Sequence, residues 1–283
     1  MATPLPNLTA LLFTPGSRPE RFAKAVASGA DGIVVDLEDS IGVTDKDRVR
    51  SEVVAYFKRP ERVVADRPFT RAIRINNLRS PHGLADLDAL NAAGVRPDAV
   101  MLAKVESAAE VQLAARQLPE SVRLICLIET VQGVRRCASI AEASPRLMAL
   151  AFGGLDLSAE TGGEPTWDAL LWPRTTVVHA CAAAGLLALD QPYIDFANAA
   201  GLEQECAQTR PLGFVGKLAI HPNQIDSIRR NYQPTVEQVA RAWKIVAAYE
   251  AANGNVDNVD GQMIDVPIYR SAQRVLARAG KDF

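Results

Sequence analysis

The sequence has no apolar run approaching the length that spans a bilayer, and Met1 to Ala10 carries neither a basic leader nor a long apolar stretch. These absences predict a cytoplasmic protein that does not engage a membrane. Net charge is also scarce, −2 at pH 7 with a pI near 6.0, which excludes a bulk basic field for nucleic acid. An anionic ligand must therefore be met by local Arg and Lys. Four cysteines, Cys126, Cys137, Cys181 and Cys206, are scattered without a C-x-x-C pair, and Cys126 lies inside an apolar run. They read as reduced thiols, not as a disulfide framework or a zinc site. No Gly-x-Gly-x-x-Gly follows the first apolar run, which removes the simplest dinucleotide-binding reading.

What the 283 residues do have is repetition. Short apolar runs occur at Ala10 to Phe13, Gly32 to Val35, Thr70 to Ile75, Ala99 to Ala103, Leu124 to Ile128, Leu147 to Phe152, Leu186 to Leu189 and Val215 to Ile220. Between them lie segments of helical spacing, such as Pro19 to Ser28, Gly83 to Ala92, Ala108 to Leu118 and Trp172 to Ala184. Eight strands alternating with helices predict an α/β fold, a (β/α)8 TIM barrel, over an open doubly wound sheet. Beyond the eighth run, Asn223 to Asn231 completes a helix and Pro234-Thr235 opens another towards Glu250. A turn-prone break at Asn253-Gly254-Asn255 precedes a tail that ends in a helical segment, Ile268 to Ala279. The expected division is a barrel domain over residues 1–233 and a C-terminal helical extension, acting as a lid, over 234–283.

In a parallel barrel, whatever follows each strand crowds one face, where barrel enzymes keep their chemistry. Arg123 to Asp156 sets the pattern: strand, helix over Val134 to Ala143, strand, with Glu129 after the first strand and Asp156 just past Gly153-Gly154. Two carboxylates at one edge make a seat for Mg2+, which takes one or two protein carboxylates and leaves its other positions to ligand and water. The bland alternative is that Glu129 caps the next helix and Asp156 sits in an ordinary loop. The same edge collects Asp36, Glu38 and Asp39, then Arg74, Lys104 with Glu106, Asp190 and His221. Arg74 presents a fork of donors suited to a carboxylate or a developing enolate oxygen, or pairs structurally with Asp36 or Glu38. Glu38 and Asp39 are candidates to hold that arginine or a metal-bound water. Lys104 suits a phosphate, and with Glu106 two residues away is expected to stay charged and paired. His221 reads equally as a general base and as a hydrogen-bonded structural histidine. The turn Pro15-Gly16-Ser17-Arg18, with free N–H groups ahead of a helix at Pro19, suits a phosphate.

Several fragments occur together in one order: Phe13-Thr14-Pro15-Gly16 with Arg18, Asp36-Leu37-Glu38-Asp39, Arg74-Ile75-Asn76, Lys104-Val105-Glu106-Ser107, Ile128-Glu129-Thr130, Phe152-Gly153-Gly154 with Asp156, Gly216-Lys217 with Ala219-Ile220-His221-Pro222, and Met263-Ile264-Asp265 with Pro267. In these the sequence resembles the citrate lyase beta-subunit-like family of CoA-ester lyases, which includes malyl-CoA and citramalyl-CoA lyases. The resemblance implies a barrel with Mg2+, or Mn2+, on Glu129 and Asp156. It implies catalytic roles for Arg74 and for Asp265, the last supplied in trans from a neighbouring subunit's lid; Glu38 and Asp39, from the acidic run after the second strand, are expected to join them. It further implies CoA and substrate contacts at Pro15, Gly16, Arg18, Asp36, Lys104, Gly154 and His221. A homo-oligomer, trimer or hexamer, follows from the trans aspartate, with CoA thioester and 2-oxo acid as substrates. Gly154-Leu155 and Ala103 depart from residues frequent in relatives. The competing expectations are an acyl-CoA thioester hydrolase from the same site, an aldolase acting without CoA, and a non-catalytic citrate-lyase-like subunit.

Overall fold

Continuous apolar runs become strands when both faces are covered, and here they do. In a computed structural model, which describes residues 8–58, 69–252, 255 and 257–281, the runs form β1 (Ala10–Pro15), β2 (Gly32–Asp36), β3 (Thr70–Ile75), β4 (Ala99–Leu102), β5 (Arg123–Ile128), β6 (Leu147–Phe152), β7 (Leu187–Asp190) and β8 (Gly216–Ala219). They pair in parallel in sequence order, and β1 pairs with β8 (Ala10 beside Lys217) to close the barrel. Each strand contributes at least one buried side chain to the central cluster; Leu11, Ala72, Ile125 and Leu189 belong to it.

The helices follow the apolar spacing, with boundaries set by caps. Ser80 accepts from Gly83 N–H to start Pro81–Ala92, and Thr166 accepts from Ala169 N–H to start Trp167–Ala184. Three segments differ from the sequence reading. The helix expected over Val134 to Ala143 is two short ones, Val131–Arg135 and Cys137–Ala141, separated at Arg136, whose φ and ψ of −107° and 14° are not helical. Lys46–Phe57 and Gly154–Thr161 are helices that the spacing does not reveal. Asn253 and Gly254 of the expected break lie outside the described residues.

The chain forms two compact units, Met1–Asn231 and Tyr232–Phe283. In the second, helix Val236–Ala251, opened by a reciprocal cap between Thr235 and Gln238, packs on helix Val266–Arg278 through Ile245, Val246, Ala272 and Leu276. A hairpin of β9 (Asp257–Val259) and β10 (Gln262–Ile264) joins them. Asp265 caps the last helix, accepting from Ile268 N–H at 3.1 Å.

A closed ring of charges ties β7 to β8 behind the barrel. Lys217 Nζ meets Asp190 Oδ2 at 2.5 Å and Glu205 Oε1 at 2.6 Å; Arg174 meets Asp190 Oδ1 at 2.9 Å and Glu205 Oε2 at 3.2 Å. Asp190, one of the acids read as facing the mouth, is instead wholly buried here. Burial penalises its charge, but Lys217 and Arg174 hold the carboxyl below the usual carboxylate range. Removing one member leaves an uncompensated buried charge. Lys217→Met is expected to cost about 3–5 kcal/mol in urea unfolding, and adding Asp190→Leu to recover most of it, since Arg174 and Glu205 then still balance. A depressed folded pKa gives stability that is present above the unfolded value and lost as pH falls through the folded one. The deficit of Asp190→Asn should therefore be full at neutral pH and shrink below pH ~4.

Candidate active site

The register of β2 and β3 sets Asp36 beside Arg74. The guanidinium forks onto the carboxylate, Nε to Oδ1 at 2.6 Å and Nη2 to Oδ2 at 2.8 Å, while its Nη1 lies 3.0 Å from Glu38 Oε2 and 3.6 Å from Asp39 Oδ2. The ring of Phe13 lies under it at 4.7 Å. Both readings of Arg74 thus meet in one side chain: it is paired, and it also faces a cavity. Asp36 accepts further N–H groups from Glu38 and Ser40. Burial opposes its charge, yet the Arg74 guanidinium and these hydrogen bonds keep the carboxyl below its ordinary range. Burial likewise opposes the Arg74 charge and is outweighed by Asp36, Glu38 and Glu129.

Lys104 leaves β4 in the left-handed region, φ 51°, a conformation that costs a non-glycine residue about 1 kcal/mol and recurs at functional sites. The twist turns its N–H to Glu129 Oε1 at 2.9 Å and its ammonium to Glu38, to Asp39 Oδ1 at 3.0 Å and to Asp156 Oδ2 at 3.4 Å. Glu106, its expected partner, pairs instead with Arg79 at 3.1 Å. Glu129 is not a helix cap, because Thr130 accepts from Gly133 N–H to start Val131–Arg135. Its buried carboxyl is pushed well above the usual range by desolvation, with Asp156 and Glu38 adding to the effect against the pull of Arg74 and Lys104. Asp156 is not in a loop either; it lies in the first turn of Gly154–Thr161. Burial raises Glu38 to about 7.

Five carboxylates (Asp36, Glu38, Asp39, Glu129, Asp156) therefore share two cations, Arg74 and Lys104, a formal excess of three negative charges. Glu129 and Asp156 fit a divalent cation that would relieve it. No group of three or more His, Cys, Asp or Glu with metal-holding geometry occurs among the described residues; two carboxylates would leave the other positions of a hard ion to ligand and water oxygens.

The cavity, about 440 Å³, is lined on its charged part by Asp36, Asp39, Arg74, Glu129 and Asp156, and elsewhere by Phe13, Phe152, Leu218 and Ile220. Pro15 and Gly154 line it too, whereas Glu38 and Lys104 do not and instead bond residues that do. A second cavity, about 320 Å³, shares Phe13, Pro15 and Ile220 and adds His221 with Arg21 and Lys24. His221 is engaged structurally: Nδ1 accepts from Asn223 N–H at 3.2 Å and the ring stacks on Phe196. The turn at Pro15 to Arg18 has fewer free donors than expected, since Gly16 N–H donates to Asp36 O and Arg18 N–H to Pro15 O; the Arg18 side chain is exposed beside Glu20. Asp265 belongs to the second unit. Sequence reasoning missed Gln191, Arg21 and Lys24; the two cations, three apart on one helical face, were the available signal.

Comparison with known proteins fits this geometry. Residues 9–222 match the HpcH/HpaI aldolase/citrate lyase family, and residues 165–281 a family of carbon–carbon bond lyases of the TIM-barrel fold. The chain belongs to the HpcH/HpaI aldolase/citrate lyase family. It is 34% identical to the citrate lyase subunit beta of Escherichia coli (strain K12) over 95% of this chain and 92% of that one. It is 31% identical to the L-malyl-CoA/beta-methylmalyl-CoA lyase of Cereibacter sphaeroides over 95% and 93%. Among solved structures, CitE of Mycobacterium tuberculosis in complex with magnesium, acetoacetate and coenzyme A superposes with a TM-score of 0.80 at 35% identity, covering 96% of this chain and 98% of that one. Membership places the chain among carbon–carbon lyases.

Gly153 permits the Glu129 position, because a methyl group on it would lie 2.6 Å from both Glu129 Cβ and Oε2. Gly153→Ala is expected to displace the carboxylate and weaken divalent-cation binding roughly 10- to 100-fold in a calorimetric titration.

Proposed function

We propose that this chain is a Mg2+-dependent lyase that cleaves, or in reverse forms, a 3-hydroxyacyl-CoA such as malyl-CoA or citramalyl-CoA, giving acetyl-CoA and a 2-oxo acid. The observation that carries the reading is that Arg74, Asp36, Glu129 and Asp156 line one cavity of the barrel mouth, with Lys104 bonded to both Glu129 and Asp156. Family membership supports it, as does the magnesium and coenzyme A in the CitE complex named above.

Glu129 and Asp156 hold the metal, Mg2+ or Mn2+. When bound, it supplies a Lewis acid and a template for the oxygens of the oxo-acid half. Arg74 is kept charged and aimed by Asp36 and Glu38, so its donors meet the thioester oxygen where negative charge develops as the C–C bond breaks. Glu38 and Asp39 hold Lys104 in turn, and Lys104 fixes Glu129 through its backbone N–H. Arg21 and Lys24, beside Pro15 and His221, offer cations for the phosphates of CoA. Asp265, from another copy of the chain, carries the proton at the acetyl carbon, which makes the working form a homo-oligomer, trimer or hexamer. The cysteines are all free, as suits a cytoplasmic enzyme.

The test follows 2-oxo acid and free thiol separately, with malyl-CoA and citramalyl-CoA, with and without Mg2+. Metal-dependent glyoxylate or pyruvate without thiol is expected, and Arg74→Met should lower kcat by about 10²- to 10³-fold. Thiol without oxo acid would identify a thioester hydrolase instead.

A further inference from the structure

Apart from Asp156, Gln191 is the only polar side chain that the segments after β6, β7 and β8 contribute to the lining of the main cavity, among the described residues. Around it that lining is apolar: Leu155, Pro192, Ile194, Leu218 and Ile220. Gln191 is itself buried, and its Oε1 accepts the N–H of Gly154 at 2.7 Å. That bond fixes the amide, since only the oxygen can accept. Nε2 donates to no acceptor among the described residues and is not one of the sealed unpaired side-chain atoms there, Arg50 Nη2 and Gln117 Oε1, so its donors remain available to a ligand of the cavity that Gln191 lines.

The placement is rigid. Asp190, the preceding residue, is locked by Lys217 at 2.5 Å and Arg174 at 2.9 Å. Gly154 is part of the same arrangement, for a methyl group on it would press on Gln191 Oε1 and lie 2.6 Å from Leu170 Cδ1. Asp156 follows two residues later.

We infer that Gln191 is a specificity-determining residue whose Nε2 donates to an oxygen on the substituent of the 2-oxo-acid half, so that the site favours an acid with a hydroxyl or carboxylate beyond the keto carbon and takes glyoxylate and pyruvate, the acids of malyl-CoA and citramalyl-CoA, as weaker substrates. The inference rests on the lyase reading, in which the oxo acid lies at Glu129 and Asp156. An apolar wall alone separates such substituents weakly, whereas a fixed donor left desolvated and unpaired by the wrong acid separates them strongly. A neutral amide does this without adding a further buried charge to a site where five carboxylates already share two cations.

The test is calorimetric binding of glyoxylate, pyruvate, hydroxypyruvate and oxaloacetate to the Mg2+-loaded protein, alongside condensation of each with acetyl-CoA. Wild type, Gln191→Leu and Gln191→Glu are compared. Wild type is expected to bind hydroxypyruvate or oxaloacetate roughly 10- to 100-fold more tightly than pyruvate, and Gln191→Leu to bring the ratio near one. Gln191→Glu keeps an acceptor for Gly154 N–H but removes the donor; it should reject oxaloacetate and keep hydroxypyruvate, whose hydroxyl can donate back, which separates the two oxygen sources. An unchanged ratio in Gln191→Leu, or an equal loss for all four acids, would overturn the inference. Selective binding that depends on Gln191, without any C–C bond formed or cleaved, would sink the lyase reading and leave the selectivity standing. No binding of any oxo acid would overturn both.

Discussion

The fork between Arg74 and Asp36 is the contact on which the mouth of this barrel depends. Side by side on adjacent strands, the two residues meet with little side-chain freedom left to lose, and their charges cancel at hydrogen-bonding distance. That anchors one cation permanently among carboxylates that would otherwise repel one another out of the site. From it the rest follows by contact: Nη1 reaches Glu38, Glu38 and Asp39 reach Lys104, and Lys104 turns its N–H to Glu129 and its ammonium towards Asp156.

The chain of contacts also explains a strained residue. Lys104 adopts φ 51° because one residue has to serve two directions, backbone to Glu129 and side chain to the acids after β2. An extended conformation would give up one of them. Burial and its acidic neighbours drive Glu129 towards the neutral form, so a divalent cation beside it would favour the ionised carboxylate. A second, neutral ring of charges around Asp190 acts on the scaffold instead. It welds β7 to β8 and leaves Gln191 facing the cavity.

Much of this is legible in the sequence because a parallel barrel covers both faces of every strand, so each reads as an unbroken apolar run, and because closure brings all the strand ends to one rim. Glu129, Asp156 and Arg74 can be placed by that rule alone. What the rule misses is set by packing. Lys46–Phe57 buries Val49 and Val53 together with Lys46 and Arg50, whose charges hide the apolar spacing. Gly154–Thr161 opens on a glycine, a poor helix former, and so reads as loop. Nearness in the chain assigns Lys104 to Glu106, yet the acids its ammonium meets, Glu38, Asp39 and Asp156, lie more than fifty positions away, and only the fold joins them. Asp190 draws attention as an acid, while the residue after it, on the opposite side of the strand end, is the one that meets the cavity.

We propose that Glu129 and Asp156 seat one divalent cation at the rim that Arg74 and Asp36 organise. Titration with Mn2+, followed by electron paramagnetic resonance, tests it most directly and needs no substrate. One bound Mn2+ per chain is expected in the wild type, displaced by Mg2+, and none in a Glu129→Gln, Asp156→Asn variant of unchanged circular dichroism. Equal Mn2+ binding by that variant would contradict it.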